Sequence, residues 1–117
     1  MSAEPYSEIR MMSQEFTAGI PLEKEIHLDS NVVFQFDNTV ENDIESDYVI
    51  ASLFIPQEDF PNFNPEIENI QDITELENID VNVSSALING GFSVNYIEFN
   101  EDMSNEHYWV FTYKLHI

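Results

Sequence analysis

"VNVSSALINGGFSVNYIEF", residues 81–99, sets Asn89-Gly90-Gly91 between two runs rich in apolar residues. Asn and Gly adopt the positive φ of tight primed turns at little cost. The stretch therefore reads as a β-hairpin, with strands over 81–88 and 92–99. This reading decides the fold, because residues 107–117, "HYWVFTYKLHI", then add a third strand across the seven-residue loop "NEDMSNE". In that last strand Trp109, Phe111, Tyr113, Leu115 and Ile117 fall on one face, as a period of two requires.

Working back from the hairpin, Asn64-Pro65 supplies a helix cap followed by proline in the first turn, and predicts a helix over 65–78. Its apolar residues, Ile67, Ile70, Ile73, Leu76 and Ile79, recur every three positions, so their stripe drifts around an ideal helix. "ITELENIDVNVS" also looks like one unit of a leucine-rich repeat, but nothing else in the chain repeats it and a lone unit cannot bury its own face. "YVIASLFI", 48–55, is apolar almost throughout and reads as a strand covered on both faces. Before it, "EIHLDSNVVFQF" alternates through Ile26, Leu28, Val32, Phe34 and Phe36, with an irregularity at 29–31. Near the N-terminus Ile9, Met12 and Phe16 stand at helical spacing ahead of Gly19 and Pro21, which predicts a helix over 6–17. The expectation is a single α+β domain over 1–117, with a mainly antiparallel sheet of about five strands and two helices packed on it.

Composition agrees with a folded unit. Leu, Ile, Val and Phe make up 36 of the 117 residues, about 31%, well above the roughly 20% below which a highly charged chain stays disordered. Charge is the abnormal quantity: 23 acidic residues face only Arg10, Lys24 and Lys114, for a net charge of −20. Residues 25–113 hold 19 of the acids and neither Lys nor Arg, where an average segment of that length would carry about ten bases. Such a charge opposes compaction, so it is a standing cost to stability unless solubility or association requires it.

The absence of cysteine removes disulfides, zinc–thiolate sites and thiol chemistry. No His pair has the H-E-x-x-H spacing, and neither a Gly-rich phosphate loop nor a nucleophile elbow is present, so no enzymatic activity, metal or cofactor is expected. "DNTVENDIESD", 37–47, alternates Asp37, Thr39, Glu41, Asp43 and Glu45 as a calcium loop does. An EF-hand loop, however, needs Gly at its sixth position and Glu at its twelfth, where this chain has Asn42 and Tyr48. Direct binding to nucleic acid or to anionic membrane is disfavoured, because both need basic side chains. The N-terminal residues lack the basic and apolar regions of a signal peptide, which points to the cytoplasm, the bacterial host's if the protein is phage-encoded.

A basic protein is therefore the expected partner, in particular a DNA- or RNA-binding enzyme or effector. The residues expected to meet it are Asp37, Glu41, Asp43, Glu45 and Asp47 between two strands, and Glu66, Glu68, Asp72, Glu75 and Glu77 on the second helix. Within that helix Glu68, Asp72 and Glu75, at i, i+4 and i+7, would form one stripe. In size and charge alone the chain is similar to small phage- or mobile-element-encoded inhibitors of glycosylases, restriction enzymes and CRISPR effectors that imitate nucleic acid. Two alternatives stand beside mimicry: an immunity protein against a basic nuclease toxin, and a structural, assembly or holding-chaperone protein whose aromatic strands self-associate, for instance as a homodimer.

Overall fold

The computed structural model describes residues 3–20, 25–42 and 47–117. The first helix, α1 (Ala3–Thr17), buries Ile9 and Met12. It ends in a Schellman motif, with Ile20 N–H donating to Glu15 O, Gly19 N–H donating to Phe16 O, and Gly19 taking a φ of 94°. Among the described residues five strands follow: β1 (Glu25–His27), β2 (Val33–Asn42), β3 (Asp47–Pro56), β4 (Ser93–Phe99) and β5 (Tyr108–His116). They form one sheet in the order β1-β2-β3-β5-β4, every neighbouring pair antiparallel. The irregularity expected at 29–31 is a 3-10 turn that separates β1 from β2, with Asn31 in the left-handed region at φ 61°.

Register places the large apolar side chains in rows. Ile26, Phe34, Leu53, Phe111 and Phe99 cross all five strands in one row, and Phe36, Ala51, Tyr113 and Ile97 make the next. The second helix, α2 (Thr74–Asn89), buries Leu76, Ile79, Val83, Ala86 and Leu87 in the same core cluster. Both helices cover this one face, giving a two-layer slab with principal extents of 40 × 37 × 21 Å.

Two sequence expectations are corrected here. The helix expected over 65–78 forms only from Thr74 onward, as the start of α2. Asn64 caps one turn, its Oδ1 accepting from Glu66 N–H at 3.1 Å while Glu68 Oε1 accepts from Asn64 N–H at 3.1 Å. Asn69 then opens a separate 3-10 turn, Ile70–Asp72, through a capping box with Asp72, and α2 starts only at Thr74. Two Asn-initiated turns five residues apart give the backbone local partners that compete with a continuous helix.

The strand expected over 81–88 is instead the C-terminal half of α2. Asn89-Gly90-Gly91 closes it rather than turning a hairpin: Phe92 N–H donates to Leu87 O at 3.0 Å, Gly91 N–H donates to Ile88 O at 3.1 Å, and Gly91 has φ 109°. This is the Schellman motif again, with its characteristic apolar contact supplied by buried Leu87 and Phe92. The sheet still has five strands, because the 29–31 break supplies the strand that 81–88 does not.

Candidate partner-binding surface

Topology fixes where the acids gather. Strand β3 ends, β5 begins, β4 ends and β2 begins at the same end of the sheet, since these neighbours are antiparallel. The connections at that end carry Asp29; Glu58 and Asp59; Glu66, Glu68 and Asp72; and Glu101, Asp102 and Glu106, while the first turns of α2 add Glu75 and Glu77. All are exposed except Glu68, which is half-buried, and these segments contain neither Lys nor Arg.

The segments are tied together rather than loosely looped. Gln57 N–H donates to His107 O at 2.9 Å, and Gln57 Nε2 donates to Asn105 O at 2.6 Å, joining the 57–59 turn to the loop before β5. Asn31 Nδ2 reaches Asp59 Oδ2 at 3.1 Å. Phe63 packs edge-on against Trp109, with ring centroids 5.2 Å apart, and anchors the 60–73 segment to the core. In the 100–106 loop, Asn100 Oδ1 accepts from Met103 N–H, and Asn105 Oδ1 accepts from both His107 N–H and Tyr108 N–H. The acids thus project from hydrogen-bonded turns. His107 Nε2 lies 3.6 Å from Glu106 Oε1.

The two groups of acids singled out in the sequence do not adjoin. Glu66, Glu68, Asp72, Glu75 and Glu77 lie at the end just described, whereas Asp37, Glu41 and Asp47 lie toward the opposite end, where β2 finishes and β3 starts. Asp37 is exposed; Glu41 pairs in register with Tyr48, and Asp47 with Asn42. Asp43 and Glu45 lie outside the described residues. The expected stripe of Glu68, Asp72 and Glu75 is also corrected, since the first two sit on separate turns and serve as backbone caps. Sequence reading passed over Glu58, Asp59, Glu101, Asp102 and Glu106, although "QED" follows one strand and "NEDMSNE" precedes its antiparallel neighbour, which brings them to the same end.

Apart from the acidic end, an open groove of about 470 Å³ lies between the helices, lined by Tyr6, Ser7, Arg10, Asp29, Asn82 and Ser85 among others. Burial, then the Asp29 carboxylate, raises the Tyr6 pKa, and an Asn82 hydrogen bond opposes the shift. Among the described residues no three His, Cys, Asp or Glu side chains are grouped to hold a metal ion, and no helix is long and apolar enough to cross a membrane. Comparison of the chain with protein-family models, curated proteins and solved structures returned no match.

Proposed function

We propose that the protein is a non-enzymatic inhibitor that occupies the basic groove of a DNA- or RNA-handling enzyme or effector in place of nucleic acid, an anti-restriction or anti-CRISPR type of activity. The observation that carries this reading is the base-free acidic end of the sheet, within a chain whose residues 25–113 lack Lys and Arg. Magnitudes support it. Duplex DNA carries about one charge per 1.7 Å, so 40 Å of duplex would hold about 24. This chain sets a net −20 within a longest extent of 40 Å. Carboxylates suit the role because they accept bidentate hydrogen bonds from Arg, as phosphates do.

Competition binding tests the reading. A labelled DNA or RNA on a basic nuclease or effector should be displaced by this protein, with no hydrolysis of the nucleic acid by the protein itself. The complex should weaken with salt less steeply than the DNA complex does, since carboxylates on a folded protein lack the condensed counterions that a duplex releases. Inhibition without displacement would reject mimicry and favour an immunity-type block at another site.

A further inference from the structure

The helices leave the other broad face of the sheet uncovered, and that face is not made as a solvated one. An antiparallel sheet with one face in water ordinarily alternates apolar-in with polar-out. Here the two central strands point Tyr48, Ile50, Ser52 and Phe54 outward from β3, and Tyr108, Val110, Thr112, Lys114 and His116 outward from β5; of these Tyr108 is exposed, Ser52 and Val110 are buried within the single chain, and the rest are half-buried. In a chain with 23 acids, none stands at these nine outward positions of the central strip, although on the flanking strands Glu41 pairs in register with Tyr48 and Glu98 with Thr112, and Glu25 lies on the edge strand. The one amine on the strip is engaged with aromatic rings, Lys114 Nζ lying 3.8 Å from the Tyr48 ring centroid and 5.5 Å from that of Tyr96.

We infer that this open sheet face is a homodimer interface, on which a second copy of the chain packs sheet against sheet. The occupant follows from charge and area. A basic partner is drawn to the acidic end, and the central strip offers it no carboxylate. For a second copy of a −20 chain the reverse holds, because this strip is the broad surface on which the two copies meet without opposing acids. The two acid-free strands supply about half of the face; all five, about 4.8 Å apart and roughly eight residues long at ~3.3 Å each, give about 620 Å² before side-chain relief. That approaches the ~800 Å² per partner of a standard interface. Packing across a two-fold axis gives two aligned sheets about 10 Å apart, with Tyr96 and Tyr108, 45% and 39% exposed in the single chain, inside the contact. The inference does not rest on nucleic-acid mimicry, and salt separates the two. Screening relieves repulsion between two acidic copies and so strengthens the dimer, whereas it weakens a complex with a basic partner.

Sedimentation equilibrium of the full chain tests it, at about 0.05 M and about 0.5 M salt. The expected species at the higher salt has twice the 13.6 kDa chain mass, with a dissociation constant at least tenfold larger at the lower salt. The double variant Tyr96→Glu, Tyr108→Glu should be monomeric, with an unchanged melting temperature in dilute solution. Tyr96→Ser alone, a milder change, should weaken the dimer at least tenfold. Val81→Glu with Ile88→Glu, at exposed positions on α2, should remain dimeric. A 13.6 kDa species under all conditions, a dimer that survives the tyrosine variants, or one that only the α2 variant dissociates would overturn the inference.

Discussion

The Tyr113 hydroxyl, on the central strand β5, donates a hydrogen bond to Asp80 Oδ1 on α2 at 2.5 Å and so fastens the helix layer to the sheet. Asp80 also accepts from Gln71 Nε2 at 3.1 Å and Ser84 Oγ at 3.4 Å, which ties the turn before α2 into the same group. Tyr113→Phe keeps the ring's edge contact with Phe34 but removes a hydrogen bond to a charged acceptor, so unfolding free energy should fall by about 1.5–3 kcal/mol. Urea unfolding of the two proteins measures the loss.

The same pair sets a pH dependence. Burial first, and then the charge and hydrogen bond of Asp80, hold the Tyr113 pKa well above its ordinary 10.0. A raised pKa means a contribution that is complete below the unfolded value and is lost above it, because the unfolded phenol then ionises while the folded one stays protonated. Stability should therefore decline as pH rises past about 10, more steeply than in Tyr113→Phe, where this linkage is gone. Melts from about pH 8 to about pH 11 read the difference; Tyr6, also raised, leaves a smaller decline in the variant.

Gly90 marks a close approach of the two helices. A Cβ there would fall within the volume of the Ser13 side chain and 2.8 Å from Arg10 O on α1. Ser13 is itself buried, its hydroxyl donating to Ile9 O at 2.7 Å, and the atom met first is its Cβ, which no change of rotamer moves, so only a shift of the α1 backbone relieves the clash. Gly90→Ala should cost about 1–3 kcal/mol through overpacking. For a chain of this size that is a drop in melting temperature of several degrees, seen by circular dichroism. Gly91→Ala should also destabilise, by a different route, since φ of 109° strains a residue bearing Cβ while the space around it is nearly free.

These glycines also show why the sequence misled in one third of the chain. Asn-Gly-Gly after an apolar run serves equally as a hairpin turn or as a helix stop, and Val81 and Val83 imitate strand alternation. The deciding pattern was Leu76, Ile79, Val83, Ala86 and Leu87, a helical stripe that crosses both segments into which Asn89-Gly90-Gly91 had divided the reading. Where one period held without competition, as in β5 and β3, the strands matched. Strand β3 did read as covered on both faces, yet the helices cover only one. The acidic end was illegible for another reason: it is assembled from segments as far apart in sequence as Asp29 and Glu106, and only strand order joins them.

Position matters for a charge-reversal test of the proposed function. Glu68 and Asp72 cap backbone N–H groups, so Lys at either site should lower the melting temperature by a few degrees and confound any binding loss. Glu66, Glu101 and Asp102 are exposed and better suited. Reversing these three to Lys should leave the melt within about 2 °C and reduce inhibition of a basic nuclease or effector at least tenfold. Reversal of Glu8 and Glu15 on α1, which carries Arg10, should change inhibition less than threefold. Equal losses from both variants would identify a diffuse charge effect rather than a located surface.

Salt should stabilise the fold itself. With 23 acids against three bases, mutual repulsion is relieved as the Debye length shrinks from about 10 Å at 0.1 M to about 3 Å at 1 M, so the melting temperature should climb across that range. Measured at a protein concentration low enough to keep the chain monomeric, the rise reports intrachain screening rather than association. A flat profile would mean that bound cations already compensate the acids, and adding EDTA to the same melts separates the two accounts. If the acids are merely screened, chelator leaves the curve where it was. If chelator lowers the melting temperature and calcium restores it, a specific cation site contributes to stability, and the acidic surface has a second occupant competing with any basic partner.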